Sequence, residues 1–195
     1  IIASNTVQIA PSASLFLFGL ITSAMHMAWL RLVGGRLKSD YRYTPAAFHN
    51  FVLPKETPAR REEIERLAQA VLDERAKHLE KGATLADLYD PITMPPGLAK
   101  AHAALDRAVD RAYRPAPFDT DRARARRVVD EALARGVTPE DVVFRLVVPG
   151  VDGMMAALGR TGEVSLAQHF MAAQIAGEVT EAMIPRFRSV PEVAG

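Results

Sequence analysis

The residues best suited to chemistry in this sequence are cationic and aromatic, and they cluster early: Arg31, Arg36, Lys38 and Arg42 interleave with Tyr41, Tyr43 and His49. Residues 1–57 hold five basic and two acidic side chains, a local charge of +3. Arginine and lysine bind phosphates as charges, while a lysine also donates to guanine O6 and N7 and an aspartate accepts from cytosine N4. Lys38 and Asp40 together therefore have the chemistry to read one G·C pair, with Arg36, Arg42, Tyr41 and Tyr43 beside them as further DNA-binding candidates. By spacing alone, a solvated loop with an incidental ion pair is the commoner outcome of such a pattern.

Outside that segment the composition excludes more than it offers. The whole chain of 195 residues balances 24 Lys and Arg against 23 Asp and Glu, so nucleic-acid contact must be local. There is no cysteine, which removes disulfides, thiolate zinc sites, iron–sulfur clusters and a cysteine nucleophile together. No glycine-rich turn follows a strand pattern, so neither a Rossmann fingerprint nor a P-loop is present. The five histidines are scattered; His102 and Asp106 lie four apart on one helical face, but a solvated pair is the commoner use of that spacing, and no metal site is expected. Arg122, Arg124, Arg126 and Arg127 spread round more than one face beside Asp119, Asp121, Asp130 and Glu131, and read as solvated surface.

With 49% apolar residues, the elements that must position these groups read as mainly α. Ser12 or Ser14 caps a first helix, apolar nearly all round from Phe16 to Val33 and ended by Gly34-Gly35. One or two short strands are expected within Arg36–Leu53, giving, with Ile1–Gln8, a small β element near the N-terminus. Thr57-Pro58 opens a helix stopped at Gly82, and Leu98, Leu105 and Val109 mark another that Pro115 and Pro117 break. Beyond it, Asp119 or Thr120 caps a helix to Ala134, Thr138-Pro139 opens the next and Glu163–Met183 forms a third, a small bundle. The expected divisions are 1–57, 58–117 and 118–195, with few contacts across Pro115–Asp119. Residues 1–30 hold no charge, yet they lack the basic flank of a signal peptide, and a span over Leu15–Val33 would bury Thr22, Ser23, His26 and Arg31. No membrane partner is expected, and the location is read as cytoplasmic. The sequence opens on Ile, which reads as a fragment whose beginning lies upstream.

Three stretches carry a resemblance: Ser23-Ala24-Met25-His26-Met27-Ala28-Trp29, Gly35-Arg36-Leu37-Lys38-Ser39-Asp40-Tyr41-Arg42-Tyr43 and His49-Asn50-Phe51. They resemble the end of the target-recognition domain of the MmeI-like adenine DNA methyltransferases, a restriction-and-modification family. Ala68–Asp73, Leu85-Ala86-Asp87-Leu88-Tyr89-Asp90-Pro91, Met94-Pro95-Pro96 and Ala101–Asp110 resemble that family's C-terminal helical segment in the same order. The resemblance implies double-stranded DNA as partner, S-adenosylmethionine as methyl donor of the parent enzyme, and a base-reading role for Lys38 and Asp40. It also implies that the methyl-donor site and the Asn-Pro-Pro-Tyr-type catalytic motif lie upstream, so no activity is expected of this chain alone. Val52-Leu53-Pro54 departs from the family's usual Pro-Trp-Pro.

From about residue 121 the sequence resembles something else, the helical cap that precedes the cobalamin-binding domain of corrinoid methyl-transfer proteins. Val128–Gly136, Pro139–Gly150, Gly162–Gln168 and Met171-Ala172-Ala173 carry this resemblance. It implies a cobalamin-facing role for Met154, Met155, Leu158, Leu166 and Phe170, although a Met-rich stripe at helical spacing is more often plain core. The lower-ligand loop of such proteins is absent from the sequence. The apolar face is then expected to close on itself, to pack on the N-terminal helices or to self-associate.

Overall fold

The computed structural model describes residues 10, 12–33, 36–37, 40–41, 43, 45–149, 152 and 166–187. Nine α-helices are present among them: α1 (Leu15–Thr22), α2 (Ala24–Val33), α3 (Pro45–His49), α4 (Pro58–Leu79), α5 (Leu85–Leu88), α6 (Pro96–Tyr113), α7 (Asp121–Ala134), α8 (Pro139–Asp141) and α9 (Leu166–Met183). α8 runs on as a π-helical stretch, Val142–Val147, and α9 ends in a 3-10 turn, Ile184–Arg186. The chain divides into two compact units, Ile1–Met27 with Leu53–Asp121, and Ala28–Val52 with Arg122–Gly195.

In the first unit, α1 packs on α4 and α6, and α4 and α6 pack on each other. Phe16 and Leu20 from α1, Ile64, Ala68 and Val71 from α4, and Leu98, Leu105, Ala108 and Val109 from α6 form its buried core. Gly19 makes the close approach possible: a Cβ there would stand 2.8 Å from Ile64 Cγ2 and 3.3 Å from Ala68 Cβ. The apolar run expected as one helix to Gly34 is broken at Ser23. Its Oγ donates to the Leu20 carbonyl at 2.7 Å and accepts from the His26 amide at 3.4 Å. The Ala24 amide, a helix-start donor with no partner inside the helix, donates to Asp106 Oδ1 at 2.7 Å. α1 and α2 meet at 58°, so among the described residues no single helix is long and apolar enough to cross a membrane, and the pair passes that test only jointly.

Helix ends in this unit follow the sequence chemistry. Ser14 caps α1, accepting from the Leu17 amide, and Thr57 caps α4 ahead of Pro58. α5, which the periodicity does not announce, starts on a reciprocal capping box between Thr84 and Asp87. The Thr84 side chain, then its backbone amide, holds the Asp87 carboxyl below its ordinary pKa. The proline-rich stretch after α6 is fastened rather than loose: Arg114 stacks 3.8 Å from the Phe118 ring centroid and donates to the Ala116 and Pro117 carbonyls. Phe118 is buried.

The second unit buries Ala125, Val128, Val129 and Ala132 of α7 with Val142, Val143 and Val147 of the π stretch and Ala176, Val179 and Met183 of α9. Gly136, at φ +91°, closes α7 by letting the Val137 amide reach the Ala132 carbonyl at 3.1 Å. The β element expected near the N-terminus is far smaller among the described residues than the sequence suggests. Pro45 starts helix α3 in the middle of the expected strand region, and residues 51–57 belong to no helix or strand. What remains is a two-residue antiparallel pairing of Arg36–Leu37 (β1) with Asp40–Tyr41 (β2). Ile1–Gln8 lie outside the described residues.

Two consequences are measurable. Gly19→Val should lower unfolding free energy by about 1–3 kcal/mol through overpacking against Ile64, although the change removes a helical glycine; a variant as stable as the wild type in urea would show that α1 does not seat this closely. Burial lowers the His26 pKa from 6.5 to about 4. Above pH 6.5 the ring is neutral folded and unfolded and adds no pH dependence. Below it the unfolded chain takes the proton first, so stability falls by about 1.4 kcal/mol per pH unit and levels off near pH 4. Urea unfolding from neutral pH to pH 4 should show the wild type losing about 3 kcal/mol more than His26→Gln. Equal losses in both chains would mean that the folded ring accepts its proton freely.

Candidate nucleic-acid interface

The basic and aromatic segment singled out by the sequence is framed on both sides by helix. α2 brings Trp29, fully buried, and α3 brings the Ala47 carbonyl; the indole Nε1–H donates to that carbonyl at 2.8 Å. A buried indole needs such an acceptor, and here the bond ties together two helices through residues eighteen positions apart in sequence. Between them, β1 and β2 pair with Arg36 opposite Tyr41 and Leu37 opposite Asp40. Positive charge at the end of α2, from Arg31, suits the negative pole of that helix.

Of the candidate DNA-binding residues, Arg36, Asp40 and Tyr41 have their backbones in this pairing, and Lys38 and Arg42 lie outside the described residues. Tyr43 is half-buried, and desolvation raises its hydroxyl pKa, so it is a neutral hydrogen-bonding group. His49 is exposed at the end of α3 and meets the Phe48 ring edge-on. The backbone thus brings Arg36, Asp40 and Tyr41 to one short pairing beside a rigid tryptophan clamp.

The first unit holds a cluster that spacing did not reveal. Arg75 of α4 donates through Nε to the Tyr89 hydroxyl at 2.6 Å, and that hydroxyl lies 2.7 Å from His102 Nε2 of α6. The Arg75 guanidinium also lies over the Phe18 and Tyr89 rings, at 5.4 and 4.9 Å from their centroids. Desolvation, then the Arg75 charge, lowers the His102 pKa, so a neutral imidazole stands against the tyrosine hydroxyl. This relay fastens the loop after α5 to α4 and α6. The His102 and Asp106 pairing considered from sequence does not form, because Asp106 caps α2 instead. Among the described residues no group of three or more His, Asp or Glu could hold a metal.

The arginine run of α7 is taken up by ion pairs: Arg122 with Glu178 at 2.6 Å, Arg126 with Asp130 at 3.4 Å, and Arg127 with Glu131. Of the cobalamin-face candidates, Met154, Met155 and Leu158 lie outside the described residues; Leu166 and Phe170 have only their backbones described, in α9.

Comparison with known proteins falls on the same segments. Residues 1–55 match the family model described as "MmeI, target recognition domain", and residues 56–134 match "MmeI, C-terminal domain". The second match includes α7, where the resemblance to a corrinoid cap began, and that cap reading gains no support. DNA methyltransferase A of Bacillus subtilis (strain 168) is 44% identical over 124 residues, covering 63% of this chain and 14% of that protein. The structure of the Type IIL restriction-modification enzyme MmeI in complex with DNA is similar with a TM-score of 0.60 and 39% identity, over 64% of this chain and 16% of that one. The chain thus spans about one seventh of the length of the curated relative. Across residues 1–134, target-recognition segment followed by C-terminal helices, the chain belongs to the MmeI family.

Proposed function

We propose that this chain is the DNA-recognition and scaffold part of an adenine-specific, S-adenosylmethionine-dependent DNA methyltransferase of the restriction-modification type, acting in the cytoplasm on double-stranded DNA. The observation that carries the reading is the consecutive match to the target-recognition and C-terminal domains of one family. Residues 1–57 supply the end of the recognition domain and residues 58–117 the helical support. Lys38 and Asp40 read one G·C pair, the lysine donating to guanine and the aspartate accepting from cytosine N4. Arg36 and Arg42 hold the phosphate backbone, and Tyr41 and Tyr43 contribute polar contacts beside them.

The residues present do not fit S-adenosylmethionine itself. Among the described residues no glycine turn joins a strand to a helix, and the family's Asn-Pro-Pro-Tyr-type motif is absent from the sequence; Asp90-Pro91-Ile92 and Met94-Pro95-Pro96 are no substitute. Methyl transfer is therefore assigned no residue here, and the chain's part is to position DNA. The fold supports that division. The candidate recognition residues lie in sequence between Trp29 and Ala47, which a hydrogen bond joins.

The test is a specificity exchange. In a methyltransferase that contains this segment, replacing Lys38 and Asp40 by Glu and Arg should change the base preferred at one position of the methylated site, each bidentate contact being worth about 1–3 kcal/mol. Methylation of an unaltered set of sites would refute the assignment. Arg36→Ala and Arg42→Ala should instead weaken binding to every sequence and flatten its salt dependence, because phosphate contacts act through counterion release.

A further inference from the structure

The outer face of α6 carries a charge pattern that the recognition motif does not include. Beyond Pro96 and Gly97 of its first turn, the exposed positions of this helix are Ala99, Lys100, Ala103, Arg107 and Arg111: three cations, two alanines and no carboxylate. The helix does contain two aspartates, and both are occupied elsewhere. Asp106 takes the Ala24 amide and Asp110 is buried. Leu98, Leu105 and Val109 face the core. Lys100, Arg107 and Arg111 stand at i, i+7 and i+11, so they line up as one stripe about 16 Å long.

Two of these cations are uncommitted. Among the described residues the side chains of Lys100 and Arg107 hold no hydrogen bond or ion pair, and neither has a carboxylate four positions away on the helix. Arg111 is paired with Glu63 of α4 at 2.6 Å and is not counted. The other carboxylate against this helix, Glu74 of α4, stands at Gly97 and is held by Lys77. The exposed positions of α4 show the commoner pattern, in which Glu62, Arg66 and Asp73 mix both signs and are simply solvated. An unmixed cationic stripe without an exposed aromatic or long aliphatic side chain offers no anchor to a protein and no apolar face to a bilayer. A polyanion needs only charge and access. The alanines at 99 and 103 leave that access, and at about 3.4 Å per nucleotide a strand lying along the stripe presents about five phosphates to it.

We propose that Lys100 and Arg107, on the outer face of α6, bind the phosphate backbone of duplex DNA outside the base-reading segment. The inference rests on the DNA-recognition reading above and adds a second point of attachment to it. Both side chains act as charges on phosphate oxygens, so they hold the duplex without reading its sequence.

The 195-residue chain and its variants are titrated with a fluorescent duplex across a range of salt. Lys100→Ala with Arg107→Ala, at exposed helical positions that alanine suits, should weaken binding to all duplexes alike and reduce the slope of log affinity against log salt by about 1.8, the signature of two lost phosphate contacts. Arg66→Ala with Lys81→Ala removes the same charge from exposed positions outside α6 and should leave affinity and slope nearly unaltered. Glu63→Gln, which removes the carboxylate paired into the stripe, should tighten binding, a direction that damaged folding cannot imitate. Equal effects of the two double variants, no effect of the first, or a Glu63→Gln chain that binds no tighter overturns the α6 face and leaves the recognition reading standing. A wild-type chain that leaves duplex unbound at low salt overturns both.

Discussion

The bond from the Ala24 amide to Asp106 Oδ1 determines what the uncharged start of this chain becomes. Leu15–Val33 is close to the length of a membrane span and would be an apolar rod if helical throughout. Ser23 ends the first helix by answering the Leu20 carbonyl, and Asp106 starts the second by taking an amide that no residue within α2 can take. A carboxylate at a helix start also meets the positive pole of the helix. The rod becomes two core helices at 58°, with Leu20, Met25 and Trp29 fully buried.

Elsewhere the loops are held by side chains rather than by a sheet. Arg75, Tyr89 and His102 tie down the loop after α5, and Arg114 with Phe118 ties down the prolines after α6. Arg75 and Arg114 each combine a flat contact on an aromatic ring with directed N–H bonds, which a lysine cannot reproduce. Both ties lie within the first unit, where they fasten the connections between its helices.

The helix ends were readable because they rest on local chemistry. Ser14, Thr57-Pro58, Gly136 and Thr138-Pro139 act within four residues of themselves, and each stands where its residue type requires. The break at Ser23 was not readable, because its partner lies in α6. For the same reason Asp106 was paired with His102 by spacing, whereas their true partners are the Ala24 amide and Tyr89. The aromatic residues of Arg36–Leu53 suggested strands, but Pro45 and the tertiary Trp29 bond set a helix among them. Lys38 and Asp40 were singled out by residue chemistry and then by resemblance, since neither periodicity nor charge separates a reading loop from a solvated one.

Asp106 lies 82 residues beyond Ala24, and that distance has a temporal meaning. A ribosome adding 5–20 residues per second takes about 4 to 16 seconds to cover it. Throughout that interval the charge-free segment is outside or in the exit tunnel without the carboxylate that turns it and without the α6 surface that covers it. Until α6 emerges, the apolar faces of α1 and α2 have no partner from that part of the chain, so the first unit can close only after most of its length has been made.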